Sequence, residues 1–377
     1  MQTRSTLFQR IILPGFAFKA VVIGGGYATG RELATYFLPS GPWGGLIAML
    51  LSMAIWSLVC AATFLFALQT RSTDYKAFFR SLLGPFWPVF EIAYFCALIV
   101  ILAVFAAAAG AIGQSLLGWP LIAGSLTLMA GIILVATWGN EAVERLFKYV
   151  TVFLYATYAI FVALSLFRFG DRMLGAFAQH PPITGWAAGG LTYAGYNILA
   201  AVVVLPVTRH MTRRRDAIAA GLLAGPLAML PAILFFLCMV AYFPEIASQT
   251  LPSDFLLQKL DVPGFRAVFQ LMIFAALLES GTGSVHAINE RLAHAYQAHV
   301  RRPFPKAARL GATVAVVIGS VFVAARFGLV QLIAEGYTWL SYAILIIFVL
   351  PLMTLGVMQL VRRRREPIPL APAAGAA

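Results

Sequence analysis

Gly24, Gly25, Gly26, Tyr27, Ala28, Thr29, Gly30, Arg31 and Glu32 follow one another inside an apolar run near the start of the chain. A second cluster reads Glu279, Ser280, Gly281, Thr282, Gly283, Ser284, Val285 and His286, again flanked by apolar residues. These residue types suit binding better than bond making. Glycine-rich backbone frees carbonyl and N–H groups, hydroxyls offer oxygen ligands to a small hard cation, and a carboxylate carries a charge or a proton. The glycines do not form a dinucleotide loop, because the third glycine of G-x-G-x-x-G would fall on Thr29 and no strand precedes it. Nowhere does a nucleophile stand beside a base, and His294 and His299, five apart, lack metal-site spacing. No enzyme chemistry and no cofactor is expected.

The elements that must position these clusters follow from composition. The chain has 377 residues, 61% hydrophobic and 11% charged, where a soluble domain carries about a quarter charged residues. A bilayer core about 30 Å thick takes roughly 20 helical residues per crossing. Ten segments meet that length, near 11–37, 43–69, 87–113, 119–137, 142–168, 184–207, 217–242, 265–290, 307–326 and 330–361. The short alternating segments of a membrane barrel are absent, so the fold class is an all-α integral membrane protein with ten transmembrane helices. Cys60, Cys96 and Cys238 lie in apolar runs and read as buried hydrophobes. Arg4 and Arg10 before the first apolar run resemble a signal peptide, yet no cleavage site followed by a soluble chain is present, so the segment is expected to stay.

Basic residues set the orientation. With the N-terminus inside, 20 of the 27 Lys and Arg fall on the cytoplasmic side and five on the other: Arg168, Arg172, Lys259, Arg266 and Arg326. Lys19 and Arg31 lie within the first segment. Both termini are therefore expected in the cytoplasm. The net charge of +13 is accounted for by anionic lipid, without nucleic acid. The whole of 1–377 reads as one transmembrane domain. Residues 243–264 form the longest external connection, 70–86 an amphipathic stretch around Tyr75, Phe78 and Phe79, and 366–377 a disordered cytoplasmic tail.

An interrupted first segment prompts a search for internal symmetry. Halving the ten segments gives repeat one near 11–170 and repeat two near 181–361, and pairs segment one with segment six. Segment six carries Gly185, Gly189, Gly190, Tyr193, Gly195, Tyr196, Asn197 and Pro206. Five crossings per half make the second half inverted, with broken first and sixth helices. The break at Gly24, Gly25 and Gly26 would face a cavity, with Tyr27 and Thr29 opposite Tyr193, Tyr196 and Asn197 as substrate-binding groups. The alternative is that Gly26 and Gly30, four apart, only let another helix approach.

Ser280, Thr282 and Ser284 are candidate ion ligands, or else bond back to their own helix. Glu279 is a functional candidate by its depth. At 1.5 Å per residue, Lys19 lies about 12 Å from one end of its helix and Glu279 about 16 Å from Glu290, so the two can reach one level and pair or exchange a proton. Either is equally able to stand alone in water. On the outer side Arg31, about 10 Å from its helix end, matches Glu335, about 8 Å into segment ten, as an outer gate or a static ion pair. Glu32 offers Arg31 a local counter-charge instead.

The run Gly24 to Glu32, with Glu279 to Gly283 and His286, Ala287, Ile288, Asn289, Glu290 and Arg291, resembles the bacterial YkvI-like membrane proteins. These in turn are similar to the amino acid–polyamine–organocation superfamily with the LeuT-type five-plus-five inverted repeat. The resemblance implies that the first and sixth helices hold substrate and that the first and eighth hold a sodium ion or a protonatable substitute. By position it makes the Gly24 to Gly26 backbone, Ser280, Thr282 and Ser284 ion-site candidates, and Arg31 an outer-gate residue. Glu279 with Lys19 opposite departs from a simple sodium site and leaves proton coupling open. The expected activity is secondary transport of a small polar solute, an amino acid or related zwitterion or amine. A membrane sensor or scaffold is the alternative.

Overall fold

The computed structural model describes residues 6–23, 25–137 and 140–362. The backbone of Gly24 and the 366–377 tail lie outside these, as do the side chains of 25–26, 136–148 and Ala298. Among the described residues every regular element is helical. The first apolar run forms α1 (Leu13–Val22), α2 (Gly25–Ala28) and α3 (Arg31–Tyr36). Then follow α4 (Gly41–Thr70), α5 (Tyr75–Leu83), α6 (Trp87–Leu117), α7 (Leu121–Thr137) and α8 (Asn140–Ala178). The rest comprises α9 (Trp186–Asn197), α10 (Ala200–Val203), α11 (Arg214–Val240), α12 (Pro252–Leu260), α13 (Phe265–Val300), α14 (Lys306–Gln331), α15 (Tyr337–Ile344) and α16 (Val357–Arg362).

Local chemistry sets the ends. Pro42, Pro88 and Pro252 stand in the first turns of α4, α6 and α12, where no N–H is missed. Asp74 caps α5 by accepting from the Ala77 N–H at 2.9 Å. Six helical stretches are long and apolar enough to cross a membrane, and Leu121–Val135 is a shorter apolar one. Large apolar side chains such as Phe167, Phe322, Trp339 and Ile92 stay exposed around the bundle, as a lipid-facing surface requires.

Within the bundle, small residues bring backbones together, the usual packing device where lipid removes the hydrophobic drive. A Cβ on Gly221 would sit 2.2 Å from Ala61 Cα, and one on Gly225 2.3 Å from the Met53 carbonyl, so α11 lies directly on α4. Gly124 and Gly110 do the same between α7 and α6. The three pieces of the first segment part company. Helix α1 packs chiefly on α11, α2 on α13 and α6, and α3 on α9. At the end of the bundle near α5, the Arg291 guanidinium lies 3.7 Å from the Tyr75 ring centre and 3.9 Å from that of Tyr94. It also pairs with Glu91 at 2.8 Å, which ties α13 to α5 and α6.

Candidate functional site

The first segment is interrupted twice. Ile23 leaves helical backbone at φ −79°, ψ 72°. Gly30 then turns into the left-handed region at φ 77°, a conformation natural to glycine. A Cβ there would also meet the Phe235 ring at 3.0 Å. Gly25 and Gly26 fall in the single turn of α2 between the two interruptions.

Segment six behaves differently from the expectation. Tyr193 to Asn197 remain helical, and the irregularity comes just after them, at Ile198 and Leu199. There the chain tightens to three-residue hydrogen bonds, Ala201 N–H to Ile198 at 2.9 Å and Val202 N–H to Leu199 at 3.1 Å. Gly189, Gly190 and Gly195 serve packing. A Cβ on Gly189 would lie 2.0 Å from the Tyr36 carbonyl oxygen, one on Gly190 2.6 Å from that of Ala48, and one on Gly195 2.0 Å from Ser341 Oγ. They let α3, α4 and α15 close onto α9.

What closes onto α9 is a carboxylate. Glu32 is 5% exposed, and its Oε2 accepts from the Tyr196 hydroxyl at 2.6 Å. Tyr36, one turn further along α3, has its ring centre 6.0 Å from that of Tyr196 and 6.2 Å from that of Tyr193. Tyr337 of α15 stands 4.5 Å from Tyr196, and Phe37 stands 4.7 Å from Tyr193. The Tyr193 hydroxyl is buried without a hydrogen-bond partner among the described residues. Nearby, Tyr27 reaches the Tyr158 hydroxyl at 3.0 Å. Tyr158 donates to the Pro231 carbonyl at 2.6 Å, so Tyr27 is the donor of that pair.

Other expected site residues are placed less directly. Thr29 is fully buried, and its hydroxyl accepts from the Arg31 N–H at 3.2 Å. The Asn197 amide donates back to the Tyr193 carbonyl at 3.1 Å, because four residues along a helix share a face. Thr282 and Ser284 bond back to the Leu278 and Ser280 carbonyls at 2.7 and 2.9 Å. Ser280 is half-buried beside them. Lys19 and Glu279 form none of the ion pairs among the described residues. Lys19 Nζ instead lies 4.5 Å from the Tyr155 ring centre.

Arg31 and Glu335 are not brought together. Arg31 donates to the Ala247 and Gln249 carbonyls at 3.0 and 2.7 Å and to Thr35 at 3.1 Å. Glu335 is exposed and accepts from Gln331 at 3.2 Å. Depth along straight helices suggested the pairing, but the turn at Gly30 redirects α3. The 243–264 connection also folds down onto the break, where the Ser253 N–H donates to the Thr29 carbonyl at 3.0 Å. That connection is anchored in turn by Asp254, which accepts from Arg266 at 2.7 and 2.9 Å, from Gln258 at 2.7 Å and from Gln270 at 2.8 Å. Ser115 completes the set at 2.5 Å. A cavity of ≈ 640 Å³ opens beside this anchor, lined by Ser115, Gln249, Asp254, Gln258, Phe327 and Leu329, apart from the carboxylate at Glu32.

Burial alone would raise the Asp254 carboxyl, but hydrogen bonds from Arg266, Ser115, Gln270 and Gln258 outweigh it and hold the group below its usual range. The stabilisation is fully present above the unfolded carboxylate value of about 3.9 and is lost as pH falls through the lowered folded value. The detergent-solubilised protein should therefore unfold more readily as pH falls below about 4. Asp254→Asn should lower stability at neutral pH and flatten that acid limb. An unchanged limb in the variant would remove Asp254 as its source.

Glu32, Tyr36, Tyr158, Tyr337 and Ser253 were not among the expected site residues. Tyr36 stands four residues after Glu32, and Tyr193 three before Tyr196, spacings that place each pair on one helix face. Among the described residues no group of His, Cys, Asp and Glu could hold a metal ion.

No protein-family profile matches the chain. The uncharacterized membrane protein YkvI of Bacillus subtilis (strain 168) is 22% identical over 279 residues, covering 74% of this chain and 79% of its own length. A Na+-coupled sialic acid symporter in a substrate-bound outward-open state superposes with a TM-score of 0.63 at 14% identity, over 93% of this chain and 84% of its own. Mhp1 in its inward-facing conformation gives 0.59 at 16% identity, over 94% and 78%. A mutant of the manganese transporter of Eremococcus coleocola gives 0.56 at 15% identity, over 90% and 77%. Likeness at this identity shows the fold: the chain is an all-helical, multi-pass membrane protein similar to YkvI and built on the LeuT-type fold of these transporters.

Proposed function

We propose that the protein is a secondary active transporter of a small polar solute, an amino acid or a related zwitterion or amine, driven by a sodium or proton gradient. The observation that carries this reading is the buried Glu32 with its tyrosines, held where the interrupted first segment meets the irregular sixth. Irregular backbone and an ionisable group at membrane depth mark a solute or ion path by default. The symporters and transporters that share the fold support it.

In this reading the chain crosses ten times in two inverted halves with both termini in the cytoplasm. The 57-residue stretch Lys306–Arg362 is about 85 Å long at 1.5 Å per residue, more than twice a bilayer core, and makes two of the crossings. The bend at Gly328, φ 73°, ψ 170°, separates them. Solute binds at the Gly24 to Gly26 backbone among Tyr27, Thr29, Tyr193 and Tyr196. Glu279, Lys19, Ser280, Thr282 and Ser284 serve the coupling ion or proton beside Tyr155. Arg31, bound to the 243–264 connection, closes the outer path. Helix ends at the interruptions suit both ends of a zwitterion.

Uptake into liposomes containing the purified protein, with sodium and pH gradients imposed separately, tests the reading. Accumulation of at least one labelled amino acid or small amine under one gradient is expected, with Glu279→Gln losing the gradient-driven part while folding normally. Absence of gradient-driven flux across the panel would overturn it.

A further inference from the structure

Glu32 is a carboxylate whose neutralisation the surrounding structure does not supply. Among the described residues one donor reaches it, the neutral hydroxyl of Tyr196. The neighbouring cation, Arg31, is spent on the Ala247 and Gln249 carbonyls and on Thr35. The elements packed on α3 are α2, α9 and the segments 38–40, 245–248 and 332–336. The titratable groups they and α15 bring toward Glu32 are Tyr27, Tyr193, Tyr196 and Tyr337, joined by Tyr36 of α3 itself. Glu245 and Glu335, on those segments, are exposed and add no positive charge. None of the ion pairs among the described residues includes Glu32. A bare carboxylate in so dry a place is too costly to keep, so something positive must be on it whenever the bundle is closed as seen here.

The walls say what else the site accepts. The tyrosine that holds the carboxylate packs against the rings of Tyr36, Tyr193 and Tyr337, and aromatic faces attract ammonium groups. The Tyr193 hydroxyl, buried and without a partner among the described residues, is an additional polar contact for a ligand. Among the described residues no free basic side chain stands there for an anion. A deprotonated carboxylate among tyrosines complements an amine and nothing negative.

Resting on the transporter reading, we propose that Glu32 binds the ammonium group of the transported solute, that a proton occupies it when the amine is absent, and that the two exchange there. One proton leaves the carboxyl for water as one ammonium, already protonated, arrives, so the charge inside the cage does not change. Closure over a neutralised site and not over an empty anion makes the exchange obligatory.

Proton release can be read without any transport. Purified protein in detergent, weakly buffered near neutral pH with an indicator dye, is titrated with butylamine, ethanolamine or putrescine, and with butyrate as the anion control. Wild-type protein should release close to one proton per bound amine, and butyrate none. The infrared carboxylic-acid band present without amine should vanish as amine binds. Glu32→Gln should lack both signals and bind amine about tenfold to a hundredfold more weakly, the loss of one charge-assisted hydrogen bond. Glu32→Asp, which keeps the carboxylate, should retain release, and it serves if the glutamine variant does not fold. Tyr196→Phe should move the band to higher frequency by removing its hydrogen bond.

Amine binding without proton release, release that persists in Glu32→Gln, or failure of every amine to bind would overturn the proposal. Gradient-driven uptake of another solute in that last case would leave the transporter reading standing. Absence of any flux together with intact proton exchange would sink the transporter reading instead.

Discussion

Replacing Arg31 by alanine is expected to open the 243–264 end of the bundle and to raise the thiol reactivity of a Ser253→Cys probe by about thirtyfold. The guanidinium makes two hydrogen bonds to the connection, at 3.0 Å to Ala247 and 2.7 Å to Gln249. A hydrogen bond from a charged donor contributes about 1.5–3 kcal/mol, and each 1.4 kcal/mol shifts an open–closed equilibrium about tenfold. Part of the loss is regained by water once the path is wet, hence thirtyfold and not a thousandfold. Ser253 is a suitable reporter. It is 0% exposed, and its hydroxyl has no partner among the described residues that a cysteine would give up. Its backbone N–H still holds Thr29, so the probe sits on the contact that must break. Arg31→Lys keeps a charge but reaches fewer carbonyls at once, and should fall between the two. Equal labelling rates in all three backgrounds would mean that Arg31 does not hold the outer path shut.

The same arginine shows where reading from sequence stops. Four glycines and a threonine in mid-segment announced an interruption, because lipid gives such residues no reason to be there unless they pack or bind. The structure has the chain leave the helix at Ile23 and again at Gly30. Tyr27, Tyr193 and Tyr196, expected to face a solute, are all buried, with Tyr27 bonded to Tyr158 and Tyr196 to Glu32. The partners Arg31 takes, the Ala247 and Gln249 carbonyls, were not recoverable, because the count of 1.5 Å per residue that suggested Glu335 assumes an unbroken axis, and the left-handed turn at Gly30 ends that assumption one residue before Arg31. Glu32 was hidden by its neighbour. Adjacent opposite charges invite a local pairing, yet side chains at i and i+1 on a helix point about 100° apart. Arg31 therefore turns to the connection and Glu32 to the tyrosines of α9. The hydroxyls after Glu279 carry both readings in sequence, and only coordinates show Thr282 and Ser284 bonded to their own helix. A gate or a buried charge is a relation between distant segments, and spacing within one segment cannot express it.

The glycines of the sixth segment looked like a second break, and their packing role leads to the other large expected effect. Gly189→Ala should cost about 3 kcal/mol of stability and should disperse the Glu32 cage, although it adds a single methyl group to a helix that would ordinarily welcome alanine. The new Cβ would lie 2.0 Å from the Tyr36 carbonyl oxygen, which is backbone and cannot swing aside. Helix α9 must then retreat from α3, and the retreat pulls apart the interactions that define the site: the 2.6 Å bond from Tyr196 to Glu32 and the packing of the Tyr36 ring on Tyr193 and Tyr196. Gly283→Ala is the matched control. It lies inside α13 with nothing within 4 Å of its added Cβ, so removing a flexible glycine from a helix should leave stability unchanged or raise it by about 0.5–1 kcal/mol. Thermal unfolding in one detergent should therefore fall for Gly189→Ala and hold or rise for Gly283→Ala. Proton release by amine, read in the Gly189 variant below its unfolding temperature, should be weakened with it. Should Gly189→Ala unfold at the wild-type temperature and keep its proton release, α9 does not lie on Tyr36 as described, and the cage built on that contact falls with it.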